Sequence, residues 1–364
     1  MSNIEKIDRN LAVKSKIEGE ELCFWNVRQS PFKMYGLLPG KVNDPFCRIP
    51  QQTAEACNEG VLALHTNTAG GRVRFCTDSS CVAIRVKMPA RCLMPHMTFV
   101  GSSGFDLYVT QKEKSRYAGS FMPPIDRENG YESLIRFPDR SLRDITINFP
   151  LYDAVDELLI GLEPDSVLRS GEEYRSQKPV VFYGSSITQG GCASRPGNSY
   201  QAIISRALNC DYRNLGWSGS ARGEQTMAQY IAEQPMQLFF MDYDHNSPSI
   251  EHLEKTHEPF FLTIREKNPD LPVIFASKTD LPLSREAEEE TALRRKIICT
   301  TMENALRRGD KNVRFVDGGT VFASFEEQGL TADSCTVDGC HPNDLGFWCM
   351  SQVYGGAIRE QLNW

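Results

Sequence analysis

The chain has no C-x-x-C pair, no long apolar run, no excess of basic charge and no low-complexity tract. Each absence closes a class of function. Without paired cysteines at ligand spacing a structural zinc site is not expected. The twelve cysteines are scattered unevenly over 364 residues, which reads as reduced thiols, many of them buried, rather than a disulfide framework. No window approaches the roughly 18–20 apolar residues that span a bilayer. The start, MSNIEKIDRNLAVKSKIEGEELCFWNV, shows no apolar core of signal-peptide length. The expectation is a soluble, cytoplasmic chain, or a periplasmic or secreted one if a leader has been removed. A formal charge of −7 argues against non-specific binding to nucleic acid or to an anionic membrane, since both need a basic surface. Neither is expected as a partner, and oligomeric state is left open.

What is present is enough apolar residue, 40%, to bury real cores, in a chain long enough for two domains. The two halves follow different patterns. Up to about residue 165, short alternating segments are separated by turn residues: GGRVRFCTDSSCVAIRVKMP, SGFDLYVTQ, RYAGSFMPP, SLIRFPD and DITINFPLYDAVDELLIGLEP. Strands at this spacing, with no 3.6-residue period between them, predict an antiparallel sandwich or jelly roll over 1–165. The polar stretch DSVLRSGEEYRSQK marks the boundary. Over 166–364 the apolar runs PVVFYG, DYRNLG, QLFFMDYD, PVIFASK and VRFVDGG alternate with helical patterns at 198–208, 224–234, 249–267, 284–308 and 343–361. That alternation predicts a doubly wound α/β domain with a parallel, flavodoxin-like sheet covered on both faces.

In such sheets reactive groups collect where strands end at their C-termini. The first run ends in Gly184-Ser185-Ser186. After the second come Trp217, Gly219 and Arg222; after the third, His245 and Asn246; beyond the fifth, Asp338 and His341. A serine hydroxyl becomes a competent nucleophile when an imidazole takes its proton, and that imidazole needs a partner to fix its tautomer. Asp338 and His341, three apart, fit one tight turn. Backbone and amide donors near the serine complete the parts of an acyl-transfer site.

These residues resemble the SGNH (GDSL-type) hydrolases. The resemblance makes Ser186 the nucleophile, His341 the general base and Asp338 its orienting acid. It makes the backbone N–H groups of Ser186 and Gly219, with the Asn246 side chain, the oxyanion donors. Gly104-Phe105-Asp106-Leu107-Tyr108 is similar to the Gly-x-Asp-Leu-Tyr signature of a β-rich domain that precedes one branch of these esterases. Two positions depart from the wider pattern: Ser185 stands where an aspartate is usual, and block three reads Asp-His-Asn rather than Gly-x-Asn-Asp. We expect Ser185 to point inward and fix the turn.

Other readings of the same residues fare worse. A phosphate cradle at GSSITQGG would need the lysine of Gly-x-x-x-x-Gly-Lys-[Ser/Thr], which is absent. A metal site on Asp338, Cys340 and His341 lacks a matching second ligand pair, so neither metal nor organic cofactor is expected. His252 and His257 read as surface or core residues, while Trp217, Arg222 and His245 are candidates for lining the substrate site. The resulting expectation is a serine esterase acting on small acyl esters, with O-acetylated carbohydrate as a candidate substrate. The alternatives are a thioesterase or acyltransferase with the same triad, or an inactive carbohydrate-binding relative. The Gly104–Tyr108 stretch is expected to dock the first domain onto the second.

Overall fold

The computed structural model describes residues 7–8, 12–13, 16–112, 114–279 and 284–364. Residues 1–6, 9–11 and 14–15, part of the expected first domain, lie outside the described residues.

Among the described residues ten strands precede residue 170. They are β1 (Cys23–Asn26), β2 (Lys33–Tyr35), β3 (Arg72–Thr77), β4 (Cys81–Lys87) and β5 (Phe105–Gln111), then β6 (Lys114–Phe121), β7 (Gly130–Arg136), β8 (Arg143–Asn148), β9 (Glu157–Leu162) and β10 (Leu168–Arg169). Alternation decides which face is buried: in β8 Ile145 and Ile147 point inward while Asp144 and Thr146 stay half-exposed. One antiparallel sheet has the order β1-β9-β4-β7. The other runs β10-β3-β8-β5-β6, with β2 added against β3. Their inner faces share a single core that includes Phe75, Ile84, Leu107, Ile147 and Ile160. The Thr77–Ser80 turn therefore carries the chain from one sheet to the other rather than closing a hairpin within one. Three short helices, Gln51–Cys57, Glu59–Leu64 and Phe99–Ser103, interrupt the β pattern. At two turns or fewer they are too short to display a 3.6-residue period.

The second half carries β11 (Val180–Gly184), β12 (Tyr212–Gly216), β13 (Leu238–Asp242), β14 (Val273–Ala276) and β15 (Val313–Val316) in one parallel sheet, ordered β12-β11-β13-β14-β15. This is the flavodoxin-like order, whose direction reverses beside the first strand and opens a crevice at the strand ends. The central strands are buried along their whole length. Successive residues face opposite sides: Phe182 packs with Tyr200, Phe240 and Tyr354 on one face, and Tyr183 with Met227, Phe239 and Phe260 on the other. Helices Tyr200–Leu208, Gln225–Ala232, Ile250–Lys267, Arg285–Arg307 and Asp344–Gln361 cover the sheet.

The two parts meet through buried polar contacts. Asp106 in β5 is fully buried; its carboxylate accepts from the Asn148 amide at 2.8 Å and from the Gly197 N–H at 2.8 Å. Burial pushes its pKa up, and those donors with Arg195 and Arg206 hold it back down. Arg72 pairs with Asp211 while its guanidinium sits 3.8 Å from the centre of the Tyr212 ring. The Gly-x-Asp-Leu-Tyr strand thus packs against the second half through Asp106 and Tyr108, whose hydroxyl accepts from Arg195 at 3.3 Å.

Candidate active site

The turn that carries Ser185 and Ser186 follows from local sequence. Gly184 ends β11 where a side chain has no room: a Cβ there would lie 2.1 Å from Thr188 Oγ1 and 2.2 Å from the Asp242 carbonyl. The chain then turns straight into the short helix Ser186–Gln189. Ser185 is the N-cap, its hydroxyl accepting from the Ile187 N–H at 3.2 Å, and it is wholly buried. A cap of this kind satisfies an amide at the helix start that has no partner within the helix. The two adjacent hydroxyls therefore separate: Ser185 faces inward, and Ser186, only partly buried, faces out.

The Ser186 hydroxyl donates to His341 Nε2 at 2.9 Å, and His341 Nδ1 donates to Asp338 Oδ2 at 2.8 Å. Asp338 and His341 share one tight turn in which Asp338 Oδ1 accepts the N–H groups of Cys340, at 3.0 Å, and His341, at 2.7 Å. Partial burial alone would raise the Asp338 pKa. The His341 and Cys340 N–H groups and the imidazole outweigh it and hold the carboxyl at about 2. Two residues further on, Asn343 caps helix Asp344–Gln361, which anchors this turn to the core through Phe347, Met350 and Tyr354. Asp338 and His341 are open to solvent, with side-chain exposures of 39% and 25%.

Gly219 sits after β12 at φ +67, in the left-handed region, with no atom within 4 Å of where a Cβ would be. Its loop and the strand before it are tied to helix Ser186–Gln189: the Ser218 N–H donates to Gln189 Oε1 at 3.0 Å, and Asn214 Nδ2, in β12, donates to the Thr188 carbonyl at 2.7 Å. Asn246 follows β13 in a single 3₁₀ turn, and its Oδ1 is buried without a hydrogen-bond partner. Gly219 and Asn246 thus follow the strands that flank β11 on either side.

The three residues expected to line the site differ in their placement. Trp217 does not line it: it is completely buried, packed in the core with the Arg48 guanidinium 4.0 Å from its ring centre. The apolar ring fills the space beneath the loop rather than its mouth. His245 also turns inward, with 6% of its side chain exposed. Burial first, then Lys278, His341 and Arg294, keep its pKa well below the usual range, so it is neutral beside Asp244. Arg222 is exposed, and its carbonyl meets the His252 ring at 2.8 Å.

Sequence reading missed what the first half contributes. The Tyr152 hydroxyl donates to the Ser186 carbonyl at 3.2 Å, and Gln189 Nε2 donates to the Leu151 carbonyl at 3.1 Å. His96 places its ring edge-on to His341, 5.7 Å between centres. No local pattern marks these residues, since their partners lie far away in the chain.

A hydroxyl, imidazole and carboxylate in this order at the C-terminal edge of a parallel sheet define a site of the serine-hydrolase type. Residues 177–359 match the GDSL-like Lipase/Acylhydrolase family, and the chain belongs to that family as an esterase with an SGNH-type fold. Residues 22–168 match the N-terminus of Esterase_SGNH_hydro-type proteins. A protein of Bacteroides ovatus described as a GDSL-like lipase aligns at 28% identity and TM-score 0.84, over 94% of this chain and 98% of its own. A salicylyl-acyltransferase from a tetracycline biosynthetic pathway aligns at 19% identity and TM-score 0.76, over 94% and 97%. A family two carbohydrate esterase from Clostridium thermocellum aligns at 15% identity and TM-score 0.61, over 92% and 99%. No curated protein matches the chain. Among the described residues no helix is long and apolar enough to cross a membrane.

Proposed function

We propose that the enzyme hydrolyses small acyl esters through a covalent acyl-enzyme on Ser186, with O-acetylated carbohydrate as the substrate class. The observation that carries this reading is the unbroken hydrogen-bonded chain Ser186–His341–Asp338. Ser186 Oγ attacks the ester carbonyl and gives its proton to His341 Nε2, while Asp338 holds Nδ1–H and stabilises the imidazolium. The N–H groups of Ser186 and Gly219 and the Asn246 amide stabilise the oxyanion. His341 protonates the departing alcohol, then takes a proton from the water that cleaves the acyl-enzyme. The solvent exposure of His341 and Asp338 suits a bulky alcohol half arriving from outside, and the likeness to a carbohydrate esterase supports a sugar there.

The test is hydrolysis of p-nitrophenyl acetate by wild type, Ser186→Ala and Ser185→Ala, followed by release of acetate from acetylated oligosaccharides. Activity confined to chains that keep Ser186 supports the reading. An inactive wild type, or loss of activity on Ser185→Ala alone, overturns it.

A second reading, acyl transfer to an alcohol in place of water, is favoured by the likeness to a salicylyl-acyltransferase across nearly the whole chain. Added alcohol or sugar acceptors that divert acyl groups from water distinguish the two.

A further inference from the structure

Two residues with no part in the proposed mechanism stand against the catalytic imidazole. Cys192 follows the nucleophile helix, buried and held at φ +74. His96 reaches in from the β-sandwich side, exposed, on the irregular segment ahead of helix Phe99–Ser103. One donor atom each from His96, Cys192 and His341 lie within 4.8 Å of one another.

We propose that these three side chains form a binding site for a thiophilic divalent cation of the zinc class, and that its occupancy switches the esterase off. The binding half of this inference stands on geometry alone; the inhibitory half rests on His341 being the general base.

The donor set is two imidazoles and one thiol, which suits zinc-class cations and disfavours magnesium or calcium, whose preferred ligands are oxygens. With Zn–N near about 2.0 Å and Zn–S near about 2.3 Å, tetrahedral ligands sit roughly 3.3–3.6 Å apart. From separations of at most 4.8 Å the donors need to close by no more than about 1.5 Å, and His96, exposed and outside regular structure, is the one placed to make that shift. On ligation the Cys192 thiol releases its proton to solvent and the thiolate sulfur bonds the metal. Three protein ligands leave a fourth position for water.

Inhibition follows from how His341 is already engaged. Nδ1–H is held by Asp338 and the Nε2 lone pair accepts from Ser186. A cation can bind this imidazole only by displacing one of the two, and either displacement breaks the relay. Ligation and acyl transfer are mutually exclusive at His341. Because His96 belongs to the first half of the chain and the other two to the second, the cation would also clasp the halves together at the site.

Cobalt(II) is the spectroscopic probe, added to the full-length chain as wild type, Cys192→Ser, His96→Ala and Ser186→Ala, with thermal melts to confirm folding. Wild type is expected to show tetrahedral cobalt bands with a thiolate-to-cobalt charge-transfer band at one equivalent. Ser186→Ala keeps the band, since it removes only a competitor for Nε2. Cys192→Ser loses it. His96→Ala binds about 10-fold or more weakly, since loss of an outer-sphere partner alone typically costs about 10–100-fold. In parallel, Zn²⁺ inhibits p-nitrophenyl acetate hydrolysis by wild type, and the inhibition constant, read against each variant's own zinc-free rate, rises about 10-fold or more in Cys192→Ser and His96→Ala. No thiolate band in wild type, or zinc sensitivity in Cys192→Ser and His96→Ala equal to that of wild type, overturns the site. A cobalt site in a chain without esterase activity leaves the site standing and removes the catalytic reading instead.

Discussion

The buried guanidinium of Arg48 donates to the carbonyl of Gly216 at 2.6 Å, across the junction between the sandwich and the parallel sheet. A second nitrogen donates to the Leu64 carbonyl at 2.9 Å, and the group lies over Trp217. Burial lowers its pKa to about 9, which still leaves it charged at neutral pH. Gly216 ends β12 and opens the loop that carries Gly219, so a residue of the first half fixes the backbone beside the proposed oxyanion donor. Arg48→Met leaves buried carbonyls unpaired, each worth about 1–3 kcal/mol. A lower melting temperature is expected, together with a fall in kcat larger than any rise in KM. A variant that melts lower with kcat intact would confine Arg48 to stability.

The paired serines should separate cleanly. Ser186→Ala removes the proposed nucleophile and is expected to lower kcat by about 10⁶-fold while the melting temperature holds. Ser185→Ala removes a helix cap, worth about 0.5–2 kcal/mol, and should leave most of the activity. Melting curves and p-nitrophenyl acetate rates on both variants measure the contrast.

Asp338 sets a pH dependence of known sign. Its carboxyl is held at about 2 in the folded chain, below the roughly 3.9 of an unfolded aspartate. Its ionised contacts therefore contribute fully above about pH 4 and are lost as the pH falls toward 2. Urea midpoints of wild type and Asp338→Asn should differ at pH 6 and converge as the pH approaches 2. At neutral pH the same variant should lose about 10⁴-fold in kcat, because an amide favours the wrong imidazole tautomer.

The proposed oxyanion donors are tested by two substitutions. Asn246→Ala removes one donor and should lower kcat by about 10²–10³ with little change in KM. Gly219→Ala meets no steric clash, but its φ of +67 imposes a left-handed penalty of about 1–2 kcal/mol on a side-chain-bearing residue. Activity should fall as the loop relaxes from that conformation. Retention of full kcat by Asn246→Ala would remove it from the site.

The second half was the more legible in sequence. Its runs are continuous apolar segments because both faces of β11 and β13 are buried, and its long helices keep their period for two turns or more. Ser186 was marked by an abrupt strand end, and Asp338 with His341 by a spacing that one turn satisfies. β1, β2 and β10 were not anticipated: two to four residues carry too little pattern to stand out. Trp217 misled because proximity in sequence to Gly219 says nothing about which side of the loop a ring packs on. Arg48 and His96 could not be read at all, since the contacts that tie them to the site, to Gly216 and His341, lie more than a hundred residues away.

Asp106 has a consequence for how such chains diversify. Its buried carboxylate closes on an N–H of the turn at Gly197, in a space where a Cβ on Gly197 would meet both Asp106 and Tyr108 at 2.6 Å or less. A recombination that exchanged either half for that of a distant relative would strand a buried charge or wedge a side chain into the seam. The halves are expected to be inherited as one unit, with sequence drift on either side of the seam matched by compensating drift on the other.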